Sequence, residues 1–218
     1  MSIATMIIGE SGTGKTTSLR NLKPEDVLLI QAVRKPLPFR SSGWAPRTQA
    51  NPSGSIFCTD KAEHILAAMR RSKQPIVVLD DFQYVLANAF MRRSAETGFQ
   101  KFTDIAKDAW DILMEASALA DDRRVYILAH SQTDDTGKVK AKTIGKLLDE
   151  KITVEGLLTI VLRTAVINGQ YLFITQNSGN DTTKSPIDLF SDEHIPNDLA
   201  AVDAAICEFY GITATATA

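Results

Sequence analysis

The sequence predicts a three-layer α/β fold on a mainly parallel sheet, with an antiparallel hairpin near its C-terminal end. Three observations carry that expectation. An apolar run, Ile3 to Ile8, leads directly into Gly9-Glu10-Ser11-Gly12-Thr13-Gly14-Lys15-Thr16 and then an amphipathic segment, Thr16 to Leu22, which reads as strand, phosphate-binding loop and helix. A second apolar run, Ile76 to Leu79, ends in the paired acids Asp80 and Asp81, as a parallel strand buried on both faces does where it opens on a site. Between and after these, short apolar runs alternate with segments of helical periodicity, the pattern of βα units.

Composition sets the outer limits. With 218 residues, 44% hydrophobic and 23% charged, the chain is long enough for one buried α/β domain, expected over residues 1–211 with a flexible tail over 212–218. A formal charge of -2 excludes a protein coated in positive charge, so any nucleic-acid contact must come from local basic loops. Two distant cysteines, Cys58 and Cys207, fit a reduced cytosolic setting better than a disulfide framework. The sequence holds no apolar run of membrane-spanning length and no signal peptide, so a cytoplasmic protein without membrane contact is expected.

In the phosphate loop, the glycines let successive N–H groups turn inward around an anion, and the following helix N-terminus adds partial positive charge. Gly9, Glu10, Ser11, Gly12, Thr13 and Gly14 form the cradle, Lys15 reaches the β- and γ-phosphates, Thr16 places its hydroxyl on Mg²⁺, and Thr17 faces the α-phosphate. Val27 to Ile30 is the next strand. The stretch Arg34 to Gly54 is rich in proline and arginine and carries Phe39 and Trp44. It is either a mobile excursion or a clamp on nucleotide, nucleic acid or a neighbouring subunit.

Ser55 to Thr59 is a short strand and Lys61 to Arg71 a helix with Ile65, Leu66 and Met69 on one side. Asp80, about 65 residues beyond the phosphate loop, is placed to hold Mg²⁺ beside Thr16. Asp81 is the candidate to orient or deprotonate the attacking water, with Asp60 and Glu10 as alternative bases. Phe82 to Met91 and Phe102 to Leu119 have helical spacing. The joint between them carries Arg92, Arg93, Phe99 and Lys101.

Arg124 to Ala129 is another buried strand, and His130 or Gln132 at its end is placed to sense the γ-phosphate. Thr133 to Lys146 is a loop carrying Lys138, Lys140 and Lys142, a candidate contact for DNA. Leu157 to Ile167 and Tyr171 to Gln176 form a hairpin around Asn168-Gly169-Gln170. Lys184, in the polar loop Ser178 to Pro186, is a candidate to reach the γ-phosphate of a neighbouring subunit, as an arginine finger does. Pro196 to Tyr210 is a last amphipathic helix.

Taken together, Gly9 to Thr16, Val77 to Asp81, Leu128 to Gln132, Phe173 to Asn177 and Thr183 to Pro186 resemble the RecA-like branch of phage-encoded P-loop nucleotide-binding proteins, including the Sak-type ATPases that assist single-strand annealing. The resemblance spans Met1 to about Gly211. It implies an ATP- and Mg²⁺-dependent ATPase that works on single-stranded DNA, with a phage annealing or single-strand binding protein as partner. A homo-oligomer is expected separately, because an isolated phosphate-loop domain often lacks a complete catalytic set that Lys184 would complete in trans. The resemblance places DNA contacts around Arg92 to Lys101 and Thr133 to Lys146. Two features depart from the pattern: no acid follows the second strand, where Gln31 to Lys35 lie, and the proline-rich excursion is extra. A nucleotide-gated loading module with little hydrolysis is the alternative. A small-molecule kinase fits less well, because such kinases rarely need an apolar strand ending in paired acids.

Overall fold

The computed structural model describes residues 1–213, so residues 214–218 of the expected tail lie outside the described residues. The apolar runs become strands, and their alternation decides which helices cover which face. In chain order the elements are β1 (Ile3–Gly9), a 3₁₀ helix (Thr16–Asn21), β2 (Val27–Gln31), β3 (Ile56–Cys58), α1 (Ala62–Arg71), β4 (Ile76–Asp80), α2 (Phe82–Arg92) and α3 (Gln100–Ala118). They continue with β5 (Arg124–Thr133), β6 (Val139–Ala141), β7 (Ile160–Ile167), β8 (Gln170–Ile174), β9 (His194–Pro196) and α4 (Leu199–Tyr210).

The strands make one mixed, mostly parallel sheet in the order β3-β2-β4-β5-β1-β7-β8-β9, with β6 paired to an extension of β5. From β3 to β7 every pairing is parallel, while β8 and β9 return antiparallel. Strand β5 lies between β1 and β4, with Gly9 opposite His130. The phosphate loop after β1, the acids after β4 and His130 on β5 therefore open on the same end of the sheet.

Period-two alternation divides the core. Met6, Ile8, Leu28, Ile30, Val77, Leu79 and Ile127 face the helices α1, α2 and α3, whose Ile65, Met69, Phe82, Leu86, Ile105 and Ile112 meet them. Ile7, Leu29, Val78, Tyr126, Leu128 and Leu162 face the other way, onto Leu19 and Leu22, onto Leu199, Val202 and Ile206 of α4, and onto Trp44 of the proline-rich stretch. On this second face the Arg124 guanidinium meets the Asp203 carboxylate through two bonds of 2.9 Å, and the Tyr126 hydroxyl donates to Asp203 at 2.6 Å. This buried network ties α4 to β5.

The structure alters several expectations. The segment after the phosphate loop is a 3₁₀ helix of 6 residues rather than a longer α-helix, and so brings little macrodipole to the site. Strand β5 runs on through His130, Ser131 and Gln132 because β6 pairs with that end, so the lysine-rich stretch is partly a β-ribbon instead of a loop. Pro196 closes β9, and α4 begins only after Asp198, whose carboxylate caps it by accepting from the Ala200 N–H at 3.0 Å. The Asn168-Gly169 turn forms as expected between β7 and β8, with φ of 50° and 77°.

Candidate functional site

The phosphate loop is shaped by what surrounds it. A side chain at Gly9 would place its Cβ 1.8 Å from Thr164 Oγ1, so only glycine fits where β1 passes β7. Gly14 has φ 94°, and its Cα faces Tyr171 and Asn197. The loop is stapled by Thr13, whose hydroxyl donates to the Glu10 carbonyl at 2.7 Å and lies 2.6 Å from the Thr164 hydroxyl. Ser11 and Gly12 are exposed at the crest.

Inside this curl Lys15 is buried and its ammonium donates to the Gly9 and Glu10 carbonyls at 2.8 and 2.7 Å. Burial lowers its pKa to about 8 against the opposing pull of Asp81 and Asp80. Thr16 donates to both carboxylate oxygens of Asp80 at 3.1 Å, across 64 residues of sequence. Asp80 is almost wholly buried at the end of β4, and burial together with the Asp81 charge raises its pKa to about 6. The Thr16 hydroxyl and the Asp80 carboxylate therefore lie side by side and could offer oxygen ligands to a cation. Two such ligands leave most of an octahedral Mg²⁺ shell to phosphate and water.

Asp81 caps α2 in the left-handed region, at φ 63°, and is buried. It is ion-paired with Lys35, and His130 Nε2 lies 3.6 Å from its Oδ1. Burial alone would lower the Lys35 pKa, but the Asp81 hydrogen bond and the two aspartate charges outweigh it and the net shift is upward. The His130 pKa is lowered by burial and by Lys15, which keeps the imidazole neutral near pH 7. Its ring packs edge-on against Tyr84 at 6.1 Å, and its backbone N–H donates to Gln83 at 3.2 Å.

These groups surround a cleft of about 370 Å³ lined by Ser11, Gly12, Gly14, Lys15, Thr16, Thr17, Lys35, Pro38, Asp81, His130 and Tyr171. The structure therefore brings together Gly9 to Thr17, Asp80, Asp81 and His130. It turns Gln132 elsewhere: its amide donates to Asp149 at 2.8 Å. Lys184 pairs through its backbone with Val161 near the start of β7 and is not among the residues lining this cleft. Of the alternative bases, Asp60 is ion-paired with Arg92 and Glu10 is exposed.

The two basic stretches are neutralised in part within the chain. Arg92 pairs with Asp60 at 2.6 Å, Arg93 with Glu96 and Asp104, and Lys140 with Asp149 at 2.9 Å. Lys101 is buried, donating to the Glu96 carbonyl at 2.7 Å and lying over the Phe90 and Phe102 rings. Phe99 stands 87% exposed, and Lys138 and Lys142 take part in no ion pair among the described residues.

Lys35, Tyr171, Asn197 and Thr164 enter the site from regions that local motifs do not mark. Asn197 is 3% exposed beside Gly14 and its amide has no hydrogen-bond partner among the described residues. Only the Arg-Lys pair at 34–35 had a signal in the sequence, as part of the basic excursion. No protein-family model matches the chain, and no curated protein matches its sequence. Among the described residues no helix is long and apolar enough to cross a membrane.

Proposed function

We propose that the cleft binds ATP with Mg²⁺ and hydrolyses it, and that the chain is a RecA-like P-loop ATPase acting on single-stranded DNA in phage recombination or replication. The observation that carries the nucleotide reading is the contact of Thr16 with Asp80, set beside a lysine enclosed by its own glycine loop. A buried carboxylate with a raised pKa and a buried ammonium with a lowered one are each costly without a counter-ion. A metal–triphosphate would relieve both, since phosphate oxygens take the place of the carbonyls on Lys15 and the cation sits against Asp80. With β5 between β1 and β4, His130 stands next to both the glycine loop and the paired acids.

The bound Mg²⁺ would neutralise charge on the β- and γ-phosphates. Thr16 and Asp80 would hold the cation, and Lys15 would stabilise charge on the phosphate oxygens as the bond to the bridging oxygen breaks. Asp81 orients the water and takes its proton as the oxygen attacks the terminal phosphorus. His130, neutral and opposite Gly9 on β5, offers a hydrogen bond that changes when the γ-phosphate leaves.

A specific observation supports the slower alternative, a nucleotide-gated loading module. Asp81 is engaged by Lys35, so the acid that would activate water is neutralised until that lysine moves. The deciding measurement is steady-state ATP hydrolysis with and without single-stranded DNA, beside Lys15→Ala. The expected result is slow hydrolysis, raised several-fold by DNA and abolished in the variant. Binding without turnover selects the gated module, and no binding of ATP by the wild-type protein overturns the nucleotide reading.

A further inference from the structure

The proline-rich stretch is a built platform, not a mobile excursion. Trp44 is buried and packs edge-on against Phe39 at 6.0 Å. The main chain at 45–47 pairs with the outer side of β3, through Arg47 N–H to the Ile56 carbonyl at 2.6 Å and Ile56 N–H to the Ala45 carbonyl at 3.0 Å. Gly54 allows this closure, because a Cβ there would lie 2.4 Å from the Pro46 carbonyl oxygen.

The platform and the sheet edge line two neighbouring clefts. One, of about 630 Å³, holds Arg34, Lys35, Trp44 and Arg47. The other, of about 450 Å³, runs along α1 to Arg71. Both share Arg47, Phe57 and Cys58, and Lys35 belongs to the first cleft and to the phosphate cleft alike. The result is one track from the phosphate site around the sheet edge.

Its lining is basic. No carboxylate lines either cleft. The ion pairs among the described residues take up Arg70, Arg92, Arg93, Arg124 and Arg163, while Arg34, Arg47 and Arg71 are in none. The Arg47 guanidinium is fixed instead by the Gly54 carbonyl at 3.0 Å. These cations are distributed over two clefts rather than gathered in one: Arg34 lines only the first, Arg71 only the second, and Arg47 both. A single phosphate group would need convergence, whereas a chain of phosphates needs spacing along a groove. Phe57, partly buried against the core and lining both clefts, is the aromatic side chain that a base could meet there.

We propose that this track binds the backbone of a single-stranded nucleic acid, with Arg34, Arg47 and Arg71 on successive phosphates and the strand ending at Lys35 beside the phosphate cleft. The choice of nucleic acid as the polyanion rests on the proposed function; the acid-free track does not. It also moves the main DNA contact away from the two basic stretches, where Arg92, Arg93 and Lys140 are paired internally.

The test measures binding of labelled oligothymidylate to the full chain without nucleotide, across a salt series, for the wild type, Arg34→Gln/Arg71→Gln and Lys138→Ala/Lys142→Ala. The groove variant is expected to bind about tenfold more weakly, with a log–log salt slope shallower by about 1.4, from about 0.7 per lost single-strand contact. The lysine variant should match the wild type. As a local readout, oligothymidylate should protect Cys58 from maleimide in a Cys207→Ser background. A fluorescent ATP analogue, bound equally by the groove variant and the wild type, verifies the fold. Wild-type affinity and slope in the groove variant, or an unprotected Cys58 with oligonucleotide bound, overturns the proposal. Wild-type protein that binds the ATP analogue but no oligothymidylate at low salt also overturns it and leaves the nucleotide site standing. Groove-dependent DNA binding without ATP binding supports the track and removes the ATPase reading.

Discussion

Asp80 and Asp81 are adjacent in sequence and opposite in environment. Asp81 is matched by Lys35, but the nearest partner of Asp80 is a neutral hydroxyl. The difference appears in stability. Because the folded-state pKa of Asp80 lies near 6, above its ordinary 3.8, the folded form holds the proton more tightly than the unfolded chain. The resulting stabilisation is fully present below pH 3.8 and is lost as pH rises through about 6, a change on the order of 3 kcal/mol at most. Asp80→Asn removes that dependence and keeps an acceptor for Thr16. Chemical denaturation should therefore show the variant about 2 kcal/mol more stable than the metal-free wild type at pH 7, while its Mg²⁺-dependent hydrolysis is lost. A variant less stable than the wild type at pH 7 would show that Asp80 is not a strained carboxylate. Neither the paired acids nor their spacing could have announced this asymmetry, since Lys35 arrives from a stretch that has no motif.

At the scale of elements, the sequence was most legible where one local pattern sufficed. The apolar runs of β1, β2, β4 and β5 and the Asn168-Gly169 turn needed no knowledge of neighbours. The extension of β5 through Gln132 and the short β9 depend on partners distant in sequence, and period alone carries no trace of those. The 3₁₀ helix after the phosphate loop is short because Pro24 follows soon after and the chain must cross to β2. The loop itself was legible as a motif, but its support was not. Gly9 is required by Thr164 on β7, a contact across 155 positions that the motif does not encode. Gly9→Ala should cost roughly 3 kcal/mol or more, in the range of an overpacked core site, and should abolish nucleotide binding. Combining it with Thr164→Ala should recover a substantial part of that loss, measured as a coupling energy above about 1 kcal/mol in a double-mutant cycle. Additive effects would mean that the two residues do not meet.

For the whole molecule, the phosphate cleft is a junction of both ends of the chain. β1 and its loop come first in sequence, β4 and β5 supply acids and His130, and the β8–β9 segment contributes Tyr171 and Asn197 against Gly14. Arg20 binds the Asn197 carbonyl at 2.5 Å, so the helix after the loop is fastened to that late segment as well. A ligand bound at such a junction stabilises the fold globally, not just the loop it touches. At a ligand concentration of about 100 times Kd, linkage gives about 2.7 kcal/mol, which for a domain of this size raises Tm by roughly 5–10 °C. The expected outcome is a thermal shift of that order with ATP and Mg²⁺, most of it lost on chelation and all of it lost in Lys15→Ala. The metal-dependent part should also shrink as pH falls below about 6, because a proton on Asp80 then competes with the cation. A shift that persists unchanged with chelator at pH 7 would place the stabilising ligand away from Thr16 and Asp80, and a shift retained in Lys15→Ala would place it outside the phosphate loop altogether.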